Sequence, residues 1–308
     1  MESFSVLIIR IWIIWICLGF RYSNLEFYAC ADRIPLLIKW LDPFASREVV
    51  MDDYDPTWWR YIFDETYLVT DARSVCCPLT TAAEVDMVEA TLGLNYDDRI
   101  LDLCGGQGRH ALELYKRGYK NITVVDYSQV LLRVGLKDAA KKGCPVYFCR
   151  GDACELGLAD AIFDVVLVMG NSFGYFEDDS QNQRILQEIC RLLRPGGKLL
   201  LDLIHRDHAR QQFKPSSWHE ATSDVVVCRQ RQLLDAGVLV REMVISKRSG
   251  LIRDVTYFAR LFQRKELEVL LAGSGFKQIS CAATLVSHPK PDDYGLLSKR
   301  MLVTATKP

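Results

Sequence analysis

The chain has 308 residues, 49% of them hydrophobic and 25% charged, with a formal net charge of −1 at pH 7. That balance suits one large α/β domain, excludes a disordered chain, and gives no strong nucleic-acid signal, because extensive phosphate neutralisation needs a basic surplus. The eleven cysteines are odd in number and scattered, which points away from a disulfide framework or a metal cluster and toward a reducing, cytoplasmic setting.

Residues 5–20 are apolar around the single Arg10, too short for a comfortable bilayer span and not followed by a small-residue cleavage site. Three readings stay open for this hydrophobic extension (1–50): a segment packed on the domain or a partner, a membrane or targeting segment, or an upstream stretch not needed for folding. Met51 precedes the globular region and is a plausible alternative start. Residues 52–70 are rich in aromatics, with Tyr54, Trp58, Trp59, Tyr61, Phe63 and Tyr67 at spacings that place several on one helical face. They read as core packing or as a lid. Thr81 and Glu84 form a capping-box pattern that predicts a scaffold helix from there to about Leu92, and 51–98 together form an N-terminal helical or lid region.

An apolar strand beginning at Arg99 then breaks into Cys104, Gly105, Gly106, Gln107 and Gly108 and continues as a helix. Gly106 and Gly108 remove the Cβ atoms that would block a sharp turn, and the helix behind them offers unpaired N–H groups to a ligand. Alone, the loop also fits a dinucleotide fingerprint. Asp102 shifts the balance, because a carboxylate inside the strand repels a pyrophosphate and attracts an ammonium. S-adenosylmethionine carries an ammonium and no phosphate. Arg109, at the start of the helix, is a candidate partner for the cofactor carboxylate.

Further strands follow at fitting intervals. Residues 121–126 form a strand ending on Asp126, placed to accept both ribose hydroxyls, with Tyr127 beside it. Residues 146–152 form a strand ending on Asp152, the adenine candidate, next to Ala153. Residues 163–169 are a continuous apolar run ending on Met169 and opening into Gly170, Asn171, Ser172, Phe173, Gly174 and Tyr175; this end should face the reactive part of the cofactor. Helical spacing over 185–193 stops at Arg194-Pro195-Gly196-Gly197, before a fifth strand at 198–203.

Taken together, Asp102 to Gly108, Asp126, Gly151-Asp152, Phe163 to Val166 and Arg194 to Leu200 resemble the class I S-adenosylmethionine-dependent methyltransferases of small-molecule type, with the motifs in the family's order. The resemblance covers roughly residue 51 to the C-terminus. It implies a Rossmann-like, doubly wound α/β fold with a seven-stranded sheet whose last strand, at 299–306, runs antiparallel to the others. One residue departs from the family pattern: Cys104 stands where the first loop glycine is usual.

Between the fifth strand and Glu266 lies an insertion, at about 206–262, within the domain spanning 99–308. The β-rich runs 225–234, 238–247 and 252–262, separated by Asp235-Ala236-Gly237 and Arg248-Ser249-Gly250, predict a three-stranded antiparallel meander. Placed over the strand ends, such a cap makes a closed pocket for a small-molecule acceptor. A helix over 265–271, stopped by Gly273 and Gly275, returns the chain to the core.

Methyl transfer needs chiefly an aligned nucleophile, and hydroxyl or protonated amine acceptors also need a proton removed. His205 just past the fifth strand and His219 in the cluster Trp218-His219-Glu220 are candidates for a base or substrate contact. Tyr175 is a candidate aromatic face for the sulfonium. Each has a plainer alternative: a hydrogen-bonded loop histidine, cap packing, and packing beside Phe173 and Phe176. The residues therefore point to methyl transfer onto oxygen or nitrogen of a small molecule. A protein or RNA acceptor, which an open basic groove would favour, and a catalytically silent cofactor-binding subunit are the alternatives.

Overall fold

A computed structural model describes residues 54–285 and 299–308. The hydrophobic segment 5–20 and Met51 lie outside the described residues. Among those described, no helix is long and apolar enough to cross a membrane.

Strands β1 (Ile100–Leu103) and β4 (Phe163–Val168) are buried along their whole length, as expected of apolar strands covered on both faces. With β2 (Ile122–Asp126), β3 (Tyr147–Arg150), β5 (Leu193–Ile204), β10 (Lys277–Leu285) and β11 (Lys299–Thr306) they form one sheet in the order β10, β11, β5, β4, β1, β2, β3. Strands β1 to β5 pair in parallel, whereas β11 is antiparallel to β5 and to β10. This is the expected seven-stranded sheet. Two apolar clusters cover its faces, one including Leu101, Val166, Leu186 and Leu199, the other Ile100, Val124, Leu114 and Leu167. Each fully buried side chain of this kind stabilises the fold by roughly 1.5–3 kcal/mol.

Ahead of the sheet come a 3₁₀ turn (Trp58–Arg60), α1 (Glu65–Thr70), α2 (Ala72–Val75) and α3 (Pro78–Leu92). Two expectations are corrected here. The aromatic stretch is broken into a turn and a short helix, because Asp64 accepts the N–H groups of Thr66 and Tyr67 and so starts a new helix. Helix α3 begins at Pro78 rather than at Thr81, since proline fits the first helical position and the Thr81 hydroxyl donates back to the Cys77 carbonyl. Glu84 is thereby released from capping.

Helices α4 (Arg109–Arg117), α5 (Gln129–Lys142) and α6 (Asp179–Leu192) complete the layers. After β5, the short α7 (Arg206–Gln211) leads into an antiparallel cap of β6 (Ser216–Glu220), β7 (Val225–Leu233), β8 (Gly237–Ser246) and β9 (Gly250–Arg260). The cap has four strands where the sequence predicts three. The extra strand, β6, is a short edge strand with an exposed Trp218, which has no alternation to reveal it. Helix α8 (Arg264–Gly273), opened by a capping box of Gln263 and Glu266, returns the chain to the sheet.

Candidate active site

The parallel register aligns the ends of β1 and β2, pairing Leu103 with Val125, so the loop after β1 lies beside Asp126. Asp126 accepts the Gly106 N–H at 2.8 Å through one oxygen and the Ser128 N–H at 2.7 Å through the other. Burial raises its carboxyl pKa to about 6, against the lowering pull of those N–H groups and with a further push from Asp102. Asp102 is fully buried, and neither of its oxygens has a hydrogen-bond partner. Burial pushes its pKa up, opposed by His110, by Arg109 and by the nearby Ala111 N–H, which falls short of a well-formed hydrogen bond. The carboxylate lies directly under the loop: a Cβ on Gly105 would come within 2.7 Å of Asp102 Cγ. Gly105 is therefore required by close approach, a role the sequence assigns only to Gly106 and Gly108. Cys104 has φ of 56°, the left-handed conformation that its position asks of glycine.

Arg109 and His110 both meet Glu84 of α3, His110 Nε2 at 2.9 Å. Burial would raise the Glu84 carboxyl pKa, but Arg109 and His110 hold it well below the usual range. The helix predicted as scaffold thus fixes the orientation of Arg109. Asp152 accepts the Cys154 N–H at 2.9 Å, which turns the chain at the end of β3. At the end of β4, Gly170 N–H donates to Asp202 Oδ2 at 3.0 Å, and the Asn171 side chain accepts the Ile204 N–H at 2.9 Å. Asp202 is in turn held by Arg300 at 2.9 and 2.7 Å. Asn171 therefore ties β4 to β5.

These strand ends open into one cavity of about 300 Å³, lined by Asp102, Cys104, Gly106, Arg109, Asp126, Tyr127, Asp152, Ala153, Met169, Asn171 and Tyr175. Every cofactor candidate from the sequence lines it except Gly108, whose place is against Phe148 and Val124 beneath the loop. Tyr175 is half-buried beside Trp58, ring centroids 4.8 Å apart, and stacks on Phe63 at 5.7 Å. Burial keeps its hydroxyl protonated, pushing the pKa well up, with Tyr67 and Cys104 adding to the shift.

Neither histidine proposed as a base is among the lining residues. His205 sits ahead of α7 and accepts the His208 N–H through Nδ1 at 3.4 Å, so it caps a helix. His219 Nε2 lies 3.0 Å from the Thr70 carbonyl and joins β6 to the N-terminal segment. Trp218 is exposed and Glu220 pairs with Lys247. The roof is built instead from cap residues the sequence does not single out and from the aromatic stretch it offers as core packing or a lid. From the cap, Arg229, Arg231, Glu242, Arg253 and Tyr257 line the cavity, and Trp58, Trp59, Phe63, Tyr67 and Asp71 line it from the N-terminal side. Arg229 bonds to Asp71 at 2.9 Å and to Glu242 at 2.8 Å, while Arg253 bonds to Asp64. Both ends of α1 are thus clipped to the cap, and the Ser128 hydroxyl donates to the Phe63 carbonyl on the other side.

Residues 100–197 match the model of the methyltransferase domain family. The chain is 37% identical over 106 residues to a ubiquinone/menaquinone biosynthesis C-methyltransferase of Roseobacter denitrificans, an alignment covering 33% of this chain and 41% of that one. It is 34% identical over 104 residues to the demethylmenaquinone methyltransferase of Thermus thermophilus, covering 33% and 46%. The chain thus spans less than half the length of these two curated relatives. Among solved structures, an S-adenosylmethionine-dependent methyltransferase from Clostridium acetobutylicum aligns with a TM-score of 0.62 at 17% identity, covering 79% of this chain and 96% of that one. The fold is that of the class I S-adenosylmethionine-dependent methyltransferases, and the motif-bearing segment matches their domain.

Proposed function

We propose that this chain, with its class I methyltransferase fold, binds S-adenosylmethionine and transfers the methyl group to oxygen or nitrogen of a small molecule held under the cap. The observation that carries the reading is the buried Asp102 beneath Gly105, whose oxygens make no well-formed hydrogen bond, with Asp126 beside it on the same cavity. Arg109 and His110 offset only part of the cost of burying that carboxylate, because both bond to Glu84 instead, and a ligand ammonium would complete its pairing. When bound, S-adenosylmethionine supplies an electrophilic methyl group on a sulfonium.

The chain's own residues divide the remaining work. Asp126 accepts the ribose hydroxyls with the lone pairs left over from the two backbone bonds, Asp152 holds the adenine amino group, and Arg109, fixed by Glu84, pairs with the amino-acid carboxylate. Tyr175 offers an aromatic face to positive charge. The cap and the aromatic N-terminal segment exclude water and hold the acceptor in line. A roofed cavity supports a small acceptor over a protein or RNA chain, which requires an open groove. The family match ends before the cap begins, so it says nothing of the acceptor that the cap would hold.

The test is mass spectrometry of a cell extract given purified protein and S-adenosylmethionine. Small molecules gaining one methyl unit support the reading; a product gaining it on carbon, or methyl found only in protein or RNA, contradicts it.

A further inference from the structure

Five rings form a continuous aromatic wall along the cavity. Tyr257, on cap strand β9, packs against Trp58 with ring centroids 5.2 Å apart, and Trp58 meets Tyr175 at 4.8 Å. Tyr175 stacks on Phe63 at 5.7 Å, and Phe63 meets Tyr67 of α1 edge-on at 5.1 Å. All five line the cavity, and all but the buried Trp58 are half-buried there. The wall runs from the cap to the loop after β4, the end that the methyltransferase reading gives to the reactive part of the cofactor. Charge around it is balanced: Arg229 pairs with Asp71 and Glu242, Arg253 pairs with Asp64, and Arg231 is also engaged. What the wall itself offers is ring faces, which attract positive charge without carrying any negative charge of their own.

The same side of the cavity is poor in groups that could take a proton. Among the described lining residues, the cap and α1 with its C-terminal cap bring two carboxylates, Glu242 and Asp71, and Arg229 holds both. The lining histidine, His110, is bound to Glu84. Burial pushes the hydroxyls of Tyr67, Tyr175 and Tyr257 up in pKa, so they stay protonated at neutral pH.

Resting on the methyltransferase reading above, we infer that the acceptor atom is the nitrogen of a primary or secondary amine, which enters as the free base and becomes cationic against this aromatic wall. Its lone pair forms the bond to the methyl carbon while the carbon–sulfur pair returns to sulfur. S-adenosylhomocysteine leaves as a neutral thioether, and the product is an ammonium ion that afterwards gives a proton to water. Positive charge therefore passes from sulfur to nitrogen beside ring faces that attract it in both places. A hydroxyl acceptor would need a base as the bond forms, whereas a neutral amine does not.

The test is to incubate the full chain with a protein-free small-molecule extract and methyl-labelled S-adenosylmethionine, and to place the label by fragment-ion mass spectrometry. Label on nitrogen supports the inference. Label only on oxygen overturns it while leaving the methyltransferase reading intact; label only on carbon or sulfur, or no labelled small molecule, overturns both. As a second arm on the same extract, Tyr257→Leu should lower the labelling rate by about tenfold, and Tyr257→Phe, which restores the ring without the hydroxyl, should recover most of that loss. Calorimetric binding of S-adenosylhomocysteine should stay within a few-fold of the parent in both. With that binding retained, a Tyr257→Leu chain as fast as the parent, or a Tyr257→Phe chain as slow as Tyr257→Leu, also overturns the inference.

Discussion

At the scale of single residues, Asp126 does two jobs that pull its chemistry in opposite directions. It closes the loop through Gly106 and Ser128, and its burial raises its pKa to about 6. Only the ionised form accepts both ribose hydroxyls, so cofactor affinity should be full above that value and fall as pH drops through it. Calorimetric titration with S-adenosylhomocysteine across this range checks the sign; affinity that rises on acidification contradicts it. Asp126→Ala should weaken binding by about 1.5–3 kcal/mol, the range for hydrogen bonds to a charged group. The place of Asp126 beside the glycine loop was legible in the sequence, because its distance from that loop follows from the length of one helix and one strand. Cys104 was legible only as a departure from the family pattern. Its φ of 56° shows what the departure costs, and Cys104→Gly should raise stability by up to about 1 kcal/mol, after the entropy of the added glycine is set against the relieved strain. Denaturant unfolding measures it, and a clear loss of stability would show that the thiol contributes more than its backbone strain.

At the scale of elements, helix α3 and the cap changed their meaning once their partners were known. The spacing of Thr81 and Glu84 imitates a capping box, yet their side chains serve other ends, and no local pattern reveals that Glu84 meets Arg109 and His110 some 25 residues on. Glu84→Ala should cost about 3–5 kcal/mol, the range for removing one partner of a buried ion pair. Its folded-state pKa is lowered from 4.5, so this stability is present above that value and lost as pH falls below it. Thermal unfolding of parent and variant at neutral and acid pH tests both statements: the gap between them should shrink in acid. The meander was legible from its turns, but the partners of its inner face were not, since Arg229 and Asp71 stand 158 residues apart. Those contacts bind the cap to the N-terminal segment, whose Trp59 packs edge-on against Tyr127, the neighbour of Asp126, at 4.9 Å. Cap and cofactor side are therefore coupled through α1. Arg229→Gln should loosen that roof and speed release of S-adenosylhomocysteine severalfold in stopped-flow; an unchanged release rate would show that α1 does not gate the site.

At the scale of the whole molecule, the seven-stranded sheet, the cap and the cavity are built within the described residues from Tyr54 onward. A chain shortened to begin at Met51 should accordingly fold and bind cofactor, and circular dichroism with calorimetry checks it; aggregation of the shortened chain alone would show that upstream residues belong to the core. The sheet was readable because strands buried on both faces are continuous apolar runs, and the floor of the cavity because its residues sit at strand ends that the run lengths fix. The cap's share of the roof was hidden, since its side chains meet the N-terminal segment only after the insertion folds back over it. The central claim is that this cavity is shaped for S-adenosylmethionine, with Asp102 answering an ammonium where a dinucleotide would bring a pyrophosphate. The most direct measurement is a calorimetric titration of the full chain with S-adenosylhomocysteine and, side by side, NAD. Saturable binding of the first, weakened in Asp126→Ala, with none of the second, is the result the account predicts, and tighter binding of NAD would contradict it.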